Sequence, residues 1–243
     1  CSSDLNVAVV DVNAEGASAI ATEVGGLAVP TDLSDRAAIE DMAATVEREM
    51  GPVDVLFNNA GIGSGRGPLD SPLEEWQRQW DVNLMSHVHA VRQVLPGMLD
   101  RGSGYLLYTA SMAGILSSHG NLPYAVSKHA VVGLAEWMAF TYHHRGIRNS
   151  LLAPLVVRTP MLGNQANSEW ASQAGGPLKE PEDVAGYVVD AMNEERFLIL
   201  TDEIAQTWME RKTADPDRWL HGMSRLQQRL EDAGDGGASG AGA

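Results

Sequence analysis

Short valine- and leucine-rich runs that alternate with helix-like stretches constrain this chain more than any other feature. Asn6 to Val12 is a compact apolar run ending in Asp11-Val12, and it reads as a buried parallel strand. A helix is expected from Ala14 to Val24, stopped by Gly25-Gly26. Leu27 to Pro30 is a second strand, followed by Thr31-Asp32-Leu33-Ser34-Asp35, where Ser34 or Asp35 suits the cap of a helix over Arg36 to Met50. Val53 to Phe57 then runs into Asn58-Asn59-Ala60-Gly61, and a long helical stretch follows from about Pro72 to Leu99. Further strands are expected at Tyr105 to Thr109, Arg148 to Leu152 and Phe197 to Leu200. Helices are expected at Pro123 to His144, Glu180 to Glu195 and, broken at Asp215-Pro216, Ile204 to Leu230. Such alternation specifies an α/β fold with a doubly wound parallel sheet and helices on both faces. We read residues 1–233 as one domain, with a helical extension over 204–233 and a flexible low-complexity tail over 234–243.

In sheets of this kind ligands sit outside the carboxyl ends of the strands. Asp11, Asp32, Asn59, Ser111 and Pro154 all fall at those ends, so they are expected to share one edge. Composition narrows the ligand. A net charge of -15 argues against nucleic acid, which needs clustered cations. The single cysteine, Cys1, allows no internal disulfide and no Cys-type metal cluster. No apolar run is long enough to span a membrane and no signal peptide is visible, so a soluble cytoplasmic protein is expected.

The chemistry concentrates between Ser111 and Lys128. Tyr124 follows Ser111 by thirteen residues, and Lys128 follows Tyr124 by four. On a helix that last step puts both side chains on one face, one turn apart. An ammonium beside a phenol favours the phenolate, and tyrosine can then exchange protons near neutral pH. Bringing a pKa of about 10 to neutrality requires ~4 kcal/mol of differential stabilisation. One lysine supplies part of that, and a second positive charge, such as an oxidised nicotinamide ring, would help. A serine at the end of the preceding strand can hydrogen-bond the reacting oxygen. Taken alone the Tyr-Lys step also fits an exposed amphipathic helix with an extended lysine.

The residues together resemble the short-chain dehydrogenase/reductase family. The matching stretches are Asp11 at a strand end, TDLSD (31–35), NNAG (58–61), DVNL (81–84), TASMAG (109–114), YAVSK (124–128) and PLVVRTPM (154–161). The resemblance covers Asn6 to about Leu200 and implies a Rossmann-like fold that interconverts a secondary alcohol and a ketone. It implies that Tyr124 is the general acid/base, that Lys128 lowers its pKa and holds the nicotinamide ribose, and that Ser111 orients the substrate oxygen. Asn83 would complete the set by holding a water in the relay to Lys128; an ordinary surface or capping asparagine is the alternative. Asp11 would accept the adenosine ribose hydroxyls and repel a 2′-phosphate, so NAD is expected over NADP. Asp32 and Leu33 resemble the adenine pocket, Asn59, Ala60 and Gly61 the backbone beside the cofactor, and Val157 and Thr159 the carboxamide end of nicotinamide. Asp11 and Asp32 also suit plain capping and turn roles. The resemblance further implies a homodimer or homotetramer built on the long helix and the Tyr124 helix.

Two departures stand out. Leu155 and Val156 follow Pro154 where the family usually has glycine, and no glycine-rich phosphate loop precedes Asp11. In the family that loop belongs to a central strand between those ending at Asp11 and Asn58. Its lack predicts a gap of about 10 Å, two strand spacings, between unpaired ladders. A polypeptide starting at Cys1 is therefore expected to fold marginally and bind NAD poorly, with about 30 further residues, one βα unit, in the working parent. A non-catalytic scaffold that keeps the site residues is the competing function; a sugar-nucleotide epimerase needs more chain than this. His119, between Ser111 and Tyr124, suits either substrate contact or exposure. His87 and His89 read as packing residues, and His143-His144 as a solvated helix end. Trp76, Trp80, Leu84, Val88 and Val91 form a core or interface stripe. Thr159 to Lys179 reads as a substrate lid with Met161, Leu162 and Trp170 as walls, suggesting an uncharged or hydrophobic substrate. Trp208 and Trp219 are placed to reach the pocket or a neighbouring subunit.

Overall fold

The computed structural model describes residues 5–64, 66–162 and 176–232. All six strands found there run parallel, but they form two sheets rather than one. β1 (Ala8–Asp11) pairs with β2 (Leu27–Pro30), joined by α1 (Ala14–Val24). β3 (Val55–Asn58), β4 (Gly104–Thr109), β5 (Ile147–Ala153) and β6 (Leu198–Leu200) form the second sheet in that order. Among the described residues β1 and β3 carry no ladder between them. β3 consequently leaves Val55 39% and Phe57 50% exposed, which is unusual for apolar residues on an interior-type strand. The two parts meet through α2 (Arg36–Met50), which packs on α4 (Ser86–Arg101).

The main core lies between the second sheet and two helices, α4 and α6 (Leu122–Tyr142). Alternation along β4 sends Leu106 and Tyr108 to that side. Leu107 goes to the opposite face, against Val184 and Val188 of α7 (Pro181–Asn193). Two C-terminal helices follow, α8 (Glu203–Ala214) and α9 (Pro216–Asp232), broken at Asp215 as expected before proline. The long helix read from Pro72 to Leu99 is three segments in line. These are α3 (Leu73–Trp80), one π-helical turn at Asp81–Met85, and α4. Of the aromatic-aliphatic stripe there, Leu84 and Val91 are buried while Trp80 keeps 39% exposure, so the stripe is only partly core.

The caps follow the sequence chemistry. Asn13, not Asp11, caps α1, its Oδ1 accepting from Gly16 N at 3.0 Å. Asp35 caps α2, accepting from Ala37 N at 2.8 Å.

Candidate active site at the carboxyl ends of the strands

Ser111 owes its position to strand pairing that continues past the end of β4. Ala110 N donates to Leu152 O at 2.8 Å and Met112 N to Pro154 O at 2.9 Å, locking the segment onto the end of β5. The Ser111 hydroxyl accepts from Ala113 N at 3.1 Å and opens a single helical turn, α5 (Ala113–Leu116). Gly114 permits that turn to lie directly on α6, since a Cβ there would sit 2.5 Å from Lys128 O. Asn121 caps α6, its Oδ1 accepting from Tyr124 N at 3.2 Å, so Tyr124 enters in the first turn and Lys128 one turn later. The Ser111 hydroxyl faces the Tyr124 side chain.

Lys128 is almost fully buried, at 2% exposure. Its Nζ donates to Thr109 O at 2.8 Å and lies 5.6 Å from the Tyr124 ring centroid. Burial pushes the ammonium down to about 8. Burial also pushes the Tyr124 phenol up, with the Ser111 hydroxyl acting in the opposite direction. The depressed tyrosine expected from the Tyr-Lys step is therefore not realised by these side chains alone. The cause is burial of the phenol; the Lys128 ammonium meanwhile donates to the Thr109 carbonyl.

Asn83 sits in the π turn and has no exposed surface. Its Oδ1 accepts from Ile62 N at 2.7 Å, and its Nδ2 donates to Ile62 O at 2.9 Å and to Ser127 Oγ at 2.9 Å. Such a two-way clasp needs an amide at that point, and the π turn delivers it by shifting the helical register. It is neither a capping nor a surface residue. Gly61 lies at the convergence: a Cβ there would meet Lys128 Nζ at 3.0 Å and Asn83 Oδ1 at 3.4 Å. Asn59 accepts from Thr109 Oγ1 at 2.9 Å, and His87 Nε2 approaches Ala60 O at 3.4 Å. Burial pushes the His87 imidazole down to about 3, with the Lys128 charge adding to the effect.

The structure thus brings Asn59, Ala60, Gly61, Asn83, Ser111, Tyr124 and Lys128 together. Asp11 and Asp32 lie apart, at the ends of the two-stranded sheet. Asp11 is exposed and accepts from Asn13 N at 2.8 Å. Asp32 accepts from Ser34 N at 2.9 Å and Ser34 Oγ at 2.7 Å, and these bonds hold its carboxyl below the usual range. Leu33 is half-buried beside it. Val157 pairs with Lys179 and packs toward Leu107 and Leu152, while Thr159 is exposed. Within the proposed lid, Met161 and Leu162 are described; Trp170 lies outside the described residues. Leu155, where glycine was expected, packs with Trp208 and Trp219 against Met112 and Leu116. His119 is engaged by the C-terminal helix, its Nδ1 bonding Gln227 Oε1 at 2.7 Å.

Thr109, Asn121 and Ser127 were not anticipated as members of this site. Asn121 had a legible signal, a capping residue before Leu122-Pro123; Thr109 acts through its backbone, which residue type does not encode.

A parallel α/β sheet with serine, tyrosine and lysine gathered at one edge defines a class of dinucleotide-dependent oxidoreductase. The family model for short chain dehydrogenase matches residues 1–170, and the chain belongs to the short-chain dehydrogenase/reductase family. It is 34% identical over 197 residues to a 1-deoxy-11-beta-hydroxypentalenate dehydrogenase of Streptomyces exfoliatus, covering 80% of this chain and 70% of that protein. It is 32% identical over 203 residues to a cyclohexanol dehydrogenase of Acinetobacter sp., covering 80% of each. Among solved structures, a short-chain dehydrogenase/reductase from Burkholderia phymatum in complex with NAD superposes with a TM-score of 0.75. It is 29% identical, with 87% of this chain and 85% of that one covered. A 7 alpha-hydroxysteroid dehydrogenase complexed with NADH and a 7-oxo bile acid gives 0.72 at 26% identity, covering 80% and 82%. The protein is accordingly an enzyme of alcohol–carbonyl interconversion with a nicotinamide cofactor. Among the described residues no helix is long and apolar enough to cross a membrane.

Proposed function

We propose that this enzyme interconverts a secondary alcohol and a ketone with NAD, using Tyr124 as the proton-transferring group. The observation that carries the reading is the meeting of Ser111, Tyr124 and Lys128, with Gly61 against the Lys128 ammonium. The Tyr124 oxygen takes the carbinol proton, and the Ser111 hydroxyl, facing it, fixes the substrate oxygen. Lys128 holds the ribose hydroxyls, and its charge assists the phenolate when the ammonium turns from Thr109 O. Asn83 anchors Ile62 and Ser127 and so positions both the cofactor-side loop and α6. A bound nicotinamide would accept the hydride from the carbinol carbon.

The chain's residues fit such a group at both of its ends. Gly61 leaves open the space between Lys128 and Asn83 that a Cβ would fill. At the far end the Asp11 carboxylate accepts one backbone N–H among the described residues, which leaves acceptor capacity for the two ribose hydroxyls. Val12-Asn13 supplies no cation for a 2′-phosphate, which supports NAD over NADP. Asp32 and Leu33 would border adenine, Asn59 and Ala60 the ribose and ring, and Val157 and Thr159 the carboxamide.

We also propose a homodimer or homotetramer. The outward face of α6 carries Val126, Trp137 and Phe140, exposed by 40%, 50% and 70%, with Gly133 between them open to close approach. The test of the catalytic reading is oxidation of secondary alcohols at saturating NAD, followed by the absorbance of reduced nicotinamide. Tyr124→Phe should cut turnover by about 10²–10⁴ while dinucleotide binding persists; equal turnover in the variant would refute the role.

A further inference from the structure

A second buried amide reaches the loop that runs past Tyr124. Gln79, near the end of α3, has no exposed surface. Its Nε2 donates to Ser64 O at 2.6 Å and lies 3.4 Å from Ser64 Oγ. Asn83 stands four positions later and clasps Ile62. Residues so spaced share one side of a helix, and here both grip one short segment, Ile62 to Ser64. Downstream the loop is tied again. Arg66 N donates to Ser71 Oγ at 2.7 Å, and Leu122 N, at the start of α6, donates to Arg66 O at 2.9 Å.

Gly63 lies between the two amide grips. It is exposed and has no side chain to anchor it, so its place is set through Ile62 and Ser64. That place is beside the reacting group. A Cβ on Gly63 would lie 3.4 Å from Tyr124 Cδ2 and 3.6 Å from both Asn121 Nδ2 and Met161 Sδ. The backbone at Gly63 thus borders one edge of the tyrosine ring, while the Ser111 hydroxyl faces its side chain from elsewhere.

Core packing alone does not account for Gln79. Among the described residues its Oε1 has no partner, and a buried amide matched on one side only carries a desolvation cost that an apolar residue of similar length avoids. The matched side is the one that meets Ser64. We propose that Gln79 is a positioning residue of the alcohol-oxidising site. By holding Ser64 it keeps Gly63 against the Tyr124 ring, and the phenol opposite Ser111. The inference rests on Tyr124 being the proton-transferring group. Such a transfer needs its partners in near-attack geometry, and a misplacement of about 1 Å costs about 10²-fold in rate.

The chain holds five tyrosines, so fluorotyrosine labelling gives five fluorine NMR lines, with that of Tyr124 assigned by its loss in Tyr124→Phe. Gln79→Met keeps the side-chain length and leaves Ser64 O to water. The Tyr124 line should move while the other four hold, and the urea midpoint should not fall. Turnover of a secondary alcohol at saturating NAD should drop at least about tenfold, with KM changed less than about twofold. Gln79→Glu supplies the rescue, because a buried carboxyl is neutral at acid pH and donates its O–H to Ser64 O. Its Tyr124 line should match the parent's at acid pH and depart from it as pH rises, a titration the parent lacks. An unmoved Tyr124 line in Gln79→Met, a moved line with kcat unchanged, or displacement of all five lines together would overturn the proposal. Should Gln79→Met not fold, the pH dependence of the Tyr124 line in Gln79→Glu decides, and its absence overturns the positioning role. A parent without turnover sinks the catalytic reading alone, and the fluorine line then decides the positioning by itself.

Discussion

At the scale of single residues, two buried bases set the pH behaviour. His87 is held neutral, its pKa near 3 against 6.5 for an exposed imidazole. Because the folded value is depressed, the unfolded chain takes up a proton first as pH falls. His87 thus contributes stability above pH 6.5 that is lost progressively between about 6.5 and 3, at no more than ~1.4 kcal/mol per pH unit. His87→Val removes that dependence, so urea unfolding between pH 6.5 and 4 should show the parent losing stability relative to the variant. Parallel losses in both would contradict the buried neutral imidazole. Lys128 follows the same rule at the other end of the scale: its contribution is full above 10.5 and lost as pH falls toward 8. Ser111, Tyr124 and Lys128 were legible from spacing because one helical turn and one strand end bring them together. The state of the tyrosine was not, because it depends on how deeply the fold buries the phenol, which spacing does not encode.

At the scale of elements, the π turn at Asp81–Met85 is the feature that sequence periodicity missed. An apolar stripe and a helix of ordinary length read the same with or without one extra residue in a turn. Only Asn83, a poor helix former amid good ones, pointed there. Asn83→Ala would leave the Ile62 N–H and C=O without partners, costing about 1–3 kcal/mol and lowering activity; unchanged unfolding and turnover would remove it from the site. The strands were legible to within about two residues at either end, whereas α5 was not, because a four-residue turn carries no period. α6 makes a separate prediction. Phe140→Asp should convert the assembly to monomer in light scattering if the exposed face is the interface, and an unchanged mass would place the contact elsewhere.

At the scale of the whole molecule, the split sheet was foreseen from a missing motif, and the separation of β1–β2 from β3–β6 matches it. Among the described residues β1 and β3 do not pair with each other and Phe57 is half exposed, which predicts a small thermal shift with NAD. A large rise in melting temperature would contradict this. Everything turns finally on whether the phenol of Tyr124 moves the proton. The decisive measurement is the rate of secondary-alcohol oxidation at saturating NAD for the parent and Tyr124→Phe, with dinucleotide binding measured on both. Turnover is expected in the parent, with near-complete loss in the variant at unchanged binding; turnover that survives loss of the hydroxyl would contradict proton transfer by Tyr124.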